Sequence, residues 1–126
     1  MKFEWDDEKN QSNIAQHGVD FEDATKVFYQ PGLDRGDDRE DYGEERRIRL
    51  GFVQGVPLFV VYTVRLGNWR IISARIATIA EEEILVEEIE GERKIRQDKR
   101  NRKAKIDRAR LESQLRIVEK KEREDP

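Results

Sequence analysis

The run "ERRIRLGFVQGVPLFVVYTVRLGNWRIISARIAT", residues 45–78, decides the fold. It divides into three stretches rich in aliphatic and aromatic residues, at 45–53, 56–64 and 69–77, separated by "QG" and "RLGN". Stretches of this length bounded by turn residues read as strands, and separators this short join antiparallel neighbours. Strand side chains alternate between faces, so Ile48, Leu50 and Phe52 point one way and Arg47, Arg49, Gly51 and Val53 the other. In the middle stretch Phe59, Val61, Thr63 and Arg65 share a side. In the last, Arg70, Ile72 and Ala74 fall on one side, and Ile71, Ser73 and Arg75 on the opposite one.

On the N-terminal side, "FEW" at residues 3–5 alternates like a short first strand. Asp6 is an N-cap for a helix whose first turn holds Asp7 and Glu8, where carboxylates meet the positive end of the dipole. The helix is expected to run to His17 and stop at Gly18. Lys9, Asn13 and His17, at i, i+4 and i+8, form one polar stripe on it. Asp20 caps a second helix carrying Phe21, Ala24, Val27 and Phe28 at helical spacing, and Pro31 and Gly32 end it. "DRGDDREDYGEE", residues 34–45, reads as a polar loop with a short edge strand. Its acids lack calcium-loop spacing, so no metal is assigned. On the C-terminal side, Thr78 and Glu81 make a capping box that starts a third helix through about Glu90. The order β-α-α-β-β-β-α defines an α+β domain with its helices on one face of a small antiparallel sheet.

Charge divides the chain differently. Its 126 residues are 36% hydrophobic and 42% charged, against about 45–50% and about 25% in an average domain, so either the whole chain is unusually polar or one part holds no core. Such a part begins near Gly91, after which there is no aromatic residue and no further glycine. Residues 1–92 carry 11 Lys or Arg against 21 Asp or Glu, a net −10, whereas residues 93–110 carry 10 against 2, a net +8. The expected organisation is therefore a domain over 1–90 and a long charged helical extension over 91–126. Spacings Glu92–Arg96, Asp98–Arg102, Glu112–Arg116 and Glu119–Arg123 support the helix at about 0.2–0.5 kcal/mol each. Ala104, Leu111, Leu115 and Val118 give under two heptads of apolar seam, short of the three to four a coiled coil needs, so a homodimer through the extension stays an open alternative. No cysteine and a single histidine exclude disulfides, a thiol nucleophile and thiolate zinc. With no signal-like or membrane-spanning apolar run, the expectation is a soluble cytoplasmic protein that contacts no membrane.

If helices cover the apolar side of the sheet, Arg47, Arg49, Thr63, Arg65, Ser73 and Arg75 converge on the other. Arginine matches phosphate oxygens with a fixed fork of donors, so such a face suits phosphate. Each arginine has a plainer reading as a solubility or ion-pairing residue, at even odds. Ser73 lacks the partners of a nucleophile triad. His17, beside a helix-ending glycine, is more often a cap than a catalyst. No P-loop, dinucleotide fingerprint, HExxH or GxSxG is present.

The order "FEWDDEKNQSNIAQHGVDFEDA", "VF", "EERRIRLG", "VVYTVR" and "RIISARIAT" resembles the BrnT family of bacterial toxins, RelE-like ribonucleases of type II toxin–antitoxin systems. The likeness spans about residues 2–80. It implies a metal-independent endoribonuclease with no cofactor that stops translation. It also implies neutralisation by a ribbon-helix-helix antitoxin of the BrnA type, with DNA contacted only through the antitoxin complex. Cleavage in RelE-like enzymes is attack of the 2′-OH on the adjacent phosphate. By resemblance, Arg65 and Arg75 supply phosphate charge, Ser73 orientation, and Lys9 or His17 proton transfer; Arg46, Arg47, Arg49, Thr63 and Arg70 contact RNA. The chain departs from the family pattern at Ile76, where relatives tend to be basic, in its acidic third helix, and in its long extension, for which RNA binding is the alternative to a homodimer. A second reading is a catalytically weakened binding or regulatory module restrained by that extension.

Overall fold

The computed structural model describes residues 1–124, with side chains through residue 121. Its elements run β1 (Phe3–Glu4), α1 (Asp7–His17), α2 (Phe21–Ala24), a 3₁₀ turn (Thr25–Tyr29), β2 (Gly32–Asp37), β3 (Arg46–Val53), β4 (Val56–Arg65), β5 (Asn68–Ile76) and α3 (Ile79–Glu124). The chain divides into two compact units, Met1–Ile89 and Glu90–Pro126. The first is the expected α+β fold, with one sheet in the order β1-β5-β4-β3-β2. Every pairing is antiparallel except the short parallel contact of β1 with β5.

The two hairpins turn where the sequence indicates. Gln54 and Gly55 have φ of 50° and 80°, and Leu66 and Gly67 have 51° and 77°. Positive φ at both central residues is what the tight hairpin turn matching strand twist requires. The caps also form: the Asp6 carboxylate accepts from Lys9 N, Gly18 is left-handed, and Asp20 accepts from Glu22 N. Beyond Ala24 the second helix tightens into the 3₁₀ turn, and Gly32 opens β2 instead of ending a helix. The loop's edge strand is thus longer and earlier than expected, and it pairs along β3 from Gly32–Gly51 to Asp37–Arg46.

Helices cover both faces of the sheet, not one. On one face Phe21, Ala24 and Val27 pack on Leu58, Val60, Tyr62, Ile71 and Ala74. On the other, Leu85 and Ile89 of α3 pack on Ile48, Leu50, Phe59 and Val61. The physical reason is that β4 is apolar on both sides, and each buried side chain of this size contributes about 1.5–3 kcal/mol once water is excluded. A second departure is a β-bulge. Val61 pairs with Ser73 but Tyr62 with Ile71, leaving Ile72 as an extra residue that shifts the alternation of β5. Arg70 (opposite Thr63), Ser73 (opposite Val61) and Arg75 (opposite Phe59) therefore share the α3 face, and strict alternation misassigns Arg70.

Asn13 is not part of a solvent-facing stripe. It is buried, and its amide donates to Val19 O and Ala74 O at 2.8 Å each while its oxygen accepts from Ala74 N at 3.2 Å. β1 pairs only with Trp69 and Arg70, so the edge of β5 beyond them is bare, and Asn13 takes the place of a pairing strand there. Asn10, also buried, accepts from Phe21 N at 2.9 Å and donates to Asp20 Oδ1 at 3.1 Å, fixing the entry to α2.

The second unit is helix throughout its described residues and continues α3 through Gly91 without a break, so the third helix does not end near Glu90. Of the spacings expected to stabilise it, only Glu92–Arg96 forms an ion pair among the described residues, at 3.5 Å. Glu119–Arg123 lies outside the described side chains, and Asp125 and Pro126 lie outside the described residues.

Removing Asn13 strands buried backbone groups at about 1–3 kcal/mol each. Asn13→Ala should lower stability in urea unfolding by about 3 kcal/mol, whereas Gln11→Ala, on the exposed side of the same helix, should stay within about 0.5 kcal/mol.

Candidate active site

There are two depressions of about 410 Å³, one along the start of α3 and one between the sheet and α3. One is lined by Ile79, Glu82, Glu83, Val86 and Glu87, whose carboxylates would repel a phosphate. The other is lined by Arg35, Gly36, Asp37, Asp38, Arg39, Ile48, Phe59, Arg75 and Glu81, and it alone of the two offers guanidiniums. Its parts come from β2 and the loop after it, the centres of β3 and β4, the end of β5 and the first turn of α3.

Phe59 forms the floor. The Arg75 guanidinium lies over its ring at 3.9 Å and that of Arg39 at 5.5 Å. Both cations are also gripped by carboxylates. Arg75 donates two hydrogen bonds to Glu81, at 2.7 and 3.0 Å, and Arg39 donates two to Asp37, at 2.7 and 2.8 Å. The Arg75 bonds, helped by Thr78, hold the Glu81 carboxyl below the usual range, although partial burial works the other way. Asp37, whose side chain is fully buried, is held low in the same way by Arg39. Glu81 has a second duty: it accepts from Thr78 N at 2.8 Å while its own N–H donates to the Thr78 hydroxyl at 3.2 Å, closing the capping box. One carboxylate thus ties the start of α3 to the end of β5.

A second cluster lies beyond it. Glu44 binds Arg65 at 2.9 Å and approaches Arg46 at 3.7 Å, while Arg46 stacks on Tyr42 at 4.1 Å. The Arg46 Nε is buried with no hydrogen bond. Asp37 pairs with Arg46 in the β2–β3 ladder, so the two clusters are neighbours on the α3 face.

The remaining expected residues scatter. Arg47 and Arg49 pair with Tyr62 and Val60 across β3–β4, which puts them on the α2 face, away from Arg75. Arg47 binds Asp34 at 2.7 Å, and Arg49 donates to the carbonyls of Val27 and Gln30. Tyr62, which donates to Asp34, has its hydroxyl pushed up to about 12, by burial first and then by that bond. Thr63 is buried and donates to Glu45 O, and Arg70 pairs with Glu4 at 3.3 Å. Ser73 lies on the α3 face, partly exposed, with no side-chain hydrogen bond among the described residues, and it does not line the groove. Lys9 and His17 do not line it either; α1 is fastened to the bare edge of β5, on the side away from β4. Ile76, opposite Leu58, faces away from Arg75, so the missing basic side chain there leaves the groove unaltered.

Arg35, in β2, and Arg39, in the loop after it, escape a sequence reading because the stretch 34–45 is mostly acidic and reads as a polar loop. Glu81 is visible only as a cap. The signal that could find Arg39 is the spacing Asp37-x-Arg39 at the end of a strand, which lets the two side chains turn back on each other.

Residues 5–81 match the family described as ribonuclease toxin, BrnT, of type II toxin–antitoxin system. Among solved structures the chain is similar to the 1.1 Å crystal structure of the Brucella abortus ribonuclease toxin BrnT, at 30% identity over 62% of this chain and 97% of that one, with a TM-score of 0.48. No curated protein matches. The family match covers more than half of the sequence and holds β2 to β5 together with the first turn of α3 that supplies Glu81. The chain belongs to the BrnT family of type II ribonuclease toxins.

Proposed function

We propose that this toxin cleaves RNA in the groove floored by Phe59, with Arg75 and Arg39 holding the scissile phosphate and Glu81 accepting the proton of the attacking 2′-OH. The observation that carries this reading is the pair of guanidiniums on one aromatic ring, each already oriented by a carboxylate. Donors aimed before substrate arrives need little reorganisation as charge develops on phosphorus. The 2′ oxygen attacks the adjacent phosphorus, the P–O5′ bond breaks, and the products end in a 2′,3′-cyclic phosphate and a 5′-hydroxyl protonated by solvent. This route is metal-independent, its charge coming from arginine. Arg46 and Arg65 bind the neighbouring phosphate by exchanging Glu44 for it, with Ser73 beside the strand end as a polar contact. Arg47, Arg49, Thr63 and Arg70 keep the structural partners already described, and Lys9 and His17 take no part in proton transfer. In the cell such cleavage stops translation, and a BrnA-like ribbon-helix-helix antitoxin neutralises the toxin and carries its complex to DNA.

Loss of one preorganised donor typically costs about 10²–10³ in rate. Arg75→Ala should therefore reduce RNA cleavage at least about 100-fold and relieve growth arrest on expression, while Lys9→Ala and His17→Ala remain near wild type. A wild-type rate in the Arg75 variant, or loss in the His17 variant, would overturn the assignment.

Glu81→Gln removes the basic carboxylate while sparing the start of α3, because glutamine can also close a capping box and its amide oxygen can still accept one bond from Arg75. It should keep the thermal midpoint near that of the parent and lower cleavage by about 10²–10⁴, the usual contribution of a positioned acid–base group.

The pH dependence follows from the Arg75–Glu81 pair. Proton acceptance needs the ionised carboxyl, and its folded pKa lies below the ordinary 4.5 because Arg75 bonds to it. The rate should hold through neutral pH and fall only in the acid range, with its half-maximum below pH 4.5. A half-maximum near pH 6 or 7 in single-turnover cleavage would contradict Glu81 as the base.

A further inference from the structure

Residues 93–110 of α3 are exposed without exception and hold ten Lys or Arg against two Asp. At about 1.5 Å per residue they cover roughly 27 Å of helix. The cations do not form a stripe. At 100° per residue, Arg93, Lys94, Arg102 and Arg110 point in four different directions, and the other six fill the gaps. The apolar side chains in the segment, Ile95 and Ile106 with Ala104 and Ala109, make no continuous face. A helix that is charged all round has nothing to lay on a protein groove or a bilayer surface, each of which needs an apolar stripe. It suits a polyanion, whose phosphates can meet it from several sides.

Pairing tells the same story. In the first unit Arg39 is held by Asp37, Arg65 by Glu44 and Arg75 by Glu81, and of the groove arginines Arg35 alone has no carboxylate within 4.0 Å among the described residues. Within the second unit only Arg96 of segment 93–110 has a carboxylate within 4.0 Å among the described residues, that of Glu92. Residues 1–92 carry a net −10, a field that opposes an approaching nucleic acid. The unpaired cations of the chain are thus concentrated in a segment that contributes nothing to the core.

We infer that residues 93–110 form a sequence-independent RNA-binding helix that supplies substrate affinity to a toxin whose two ring-stacked groove arginines, Arg39 and Arg75, are each paired with a carboxylate. The inference rests on the ribonuclease reading for the identity of the polyanion, and it adds a second contact surface outside the groove. Binding of this kind is driven by release of counterions from the phosphates, so it shows in the salt dependence: log K falls with log salt at about 0.7 per phosphate contacted on a single strand.

The test uses the full chain carrying K94Q, K99Q, R100Q, R102Q, K103Q and K105Q together, glutamine being a good helix former. The probe is a single-stranded RNA methylated at every 2′ oxygen, which the proposed chemistry cannot cut. With helicity unchanged by circular dichroism, the variant should bind at least about tenfold more weakly, and its salt slope should drop by about 4 when all six cations contact phosphate. On cleavable RNA, KM should rise while kcat at saturation holds. Unchanged affinity and slope would overturn the inference. So would a variant that keeps its RNA affinity but changes its sedimentation mass or loses its antitoxin, since the segment would then be a protein-docking helix. A chain that binds the methylated RNA through this segment yet cuts no RNA supports the inference and refutes the ribonuclease reading. Cleavage without any contribution of the segment to binding refutes only the inference.

Discussion

The side-chain amide of Asn13 does for the bare edge of β5 what a further strand would do. It bonds to both backbone groups of Ala74 and reaches on to Val19 O, so a single side chain joins α1, the turn into α2 and the last strand of the sheet. β5 is the strand everything functional hangs from. Arg75 is the next residue, Ser73 the previous one, and the chain leaves β5 directly into the cap of α3. A buried amide with both N–H groups and its oxygen bonded is a strong positional constraint, because any slip of β5 would strand polar groups where water cannot reach them. The position of the groove therefore depends on a residue that takes no part in the proposed chemistry.

Charge is organised on the same principle of prior pairing. An arginine left free on a surface samples many rotamers, and ordering it on a substrate costs entropy. Here Glu81 and Asp37 order Arg75 and Arg39 in advance, and Phe59 fixes the plane of the first. The same carboxylates weaken the long-range attraction of the groove for phosphate. Precise aim and weak capture go together in the first unit, and a separate block of unpaired cations in the second offsets the deficit.

Much of the fold could be read from the sequence because it is written in local chemistry. Gly55 and Gly67 set the hairpin turns, Asp6, Asp20 and the Thr78–Glu81 box set the helix starts, and Gly18 sets a helix end; each acts within a few residues of itself. What could not be read depends on contacts distant in sequence. The bulge at Ile72 arises from the pairing of β4 with β5 and moves Arg70 to the other face, which no alternation rule within β5 predicts. Asn13 looks like a solvent residue until Ala74, 61 positions away, is placed beside it. The cluster expected on one sheet face came apart for the same reason. β4 is apolar on both sides, so both faces needed cover, and Arg47 and Arg49 went to the face closed by α2. Of the expected catalytic set the groove retains Arg75, and it gains Arg39 and Glu81, whose roles are visible only once strand end, loop and helix start are brought together.

The central claim, that RNA is held by guanidiniums over Phe59 and not by the face of α1, can be read directly in solution. Arginine Nε–Hε resonances of the full chain should be followed by NMR while an RNA lacking the 2′-OH at one position is added. The account predicts that the signals of Arg75 and Arg39 move first and together, with Glu81 released from Arg75, while the His17 ring and the amides of α1 stay in place. Shifts centred on His17 and Lys9 with Arg75 still locked to Glu81 would contradict it.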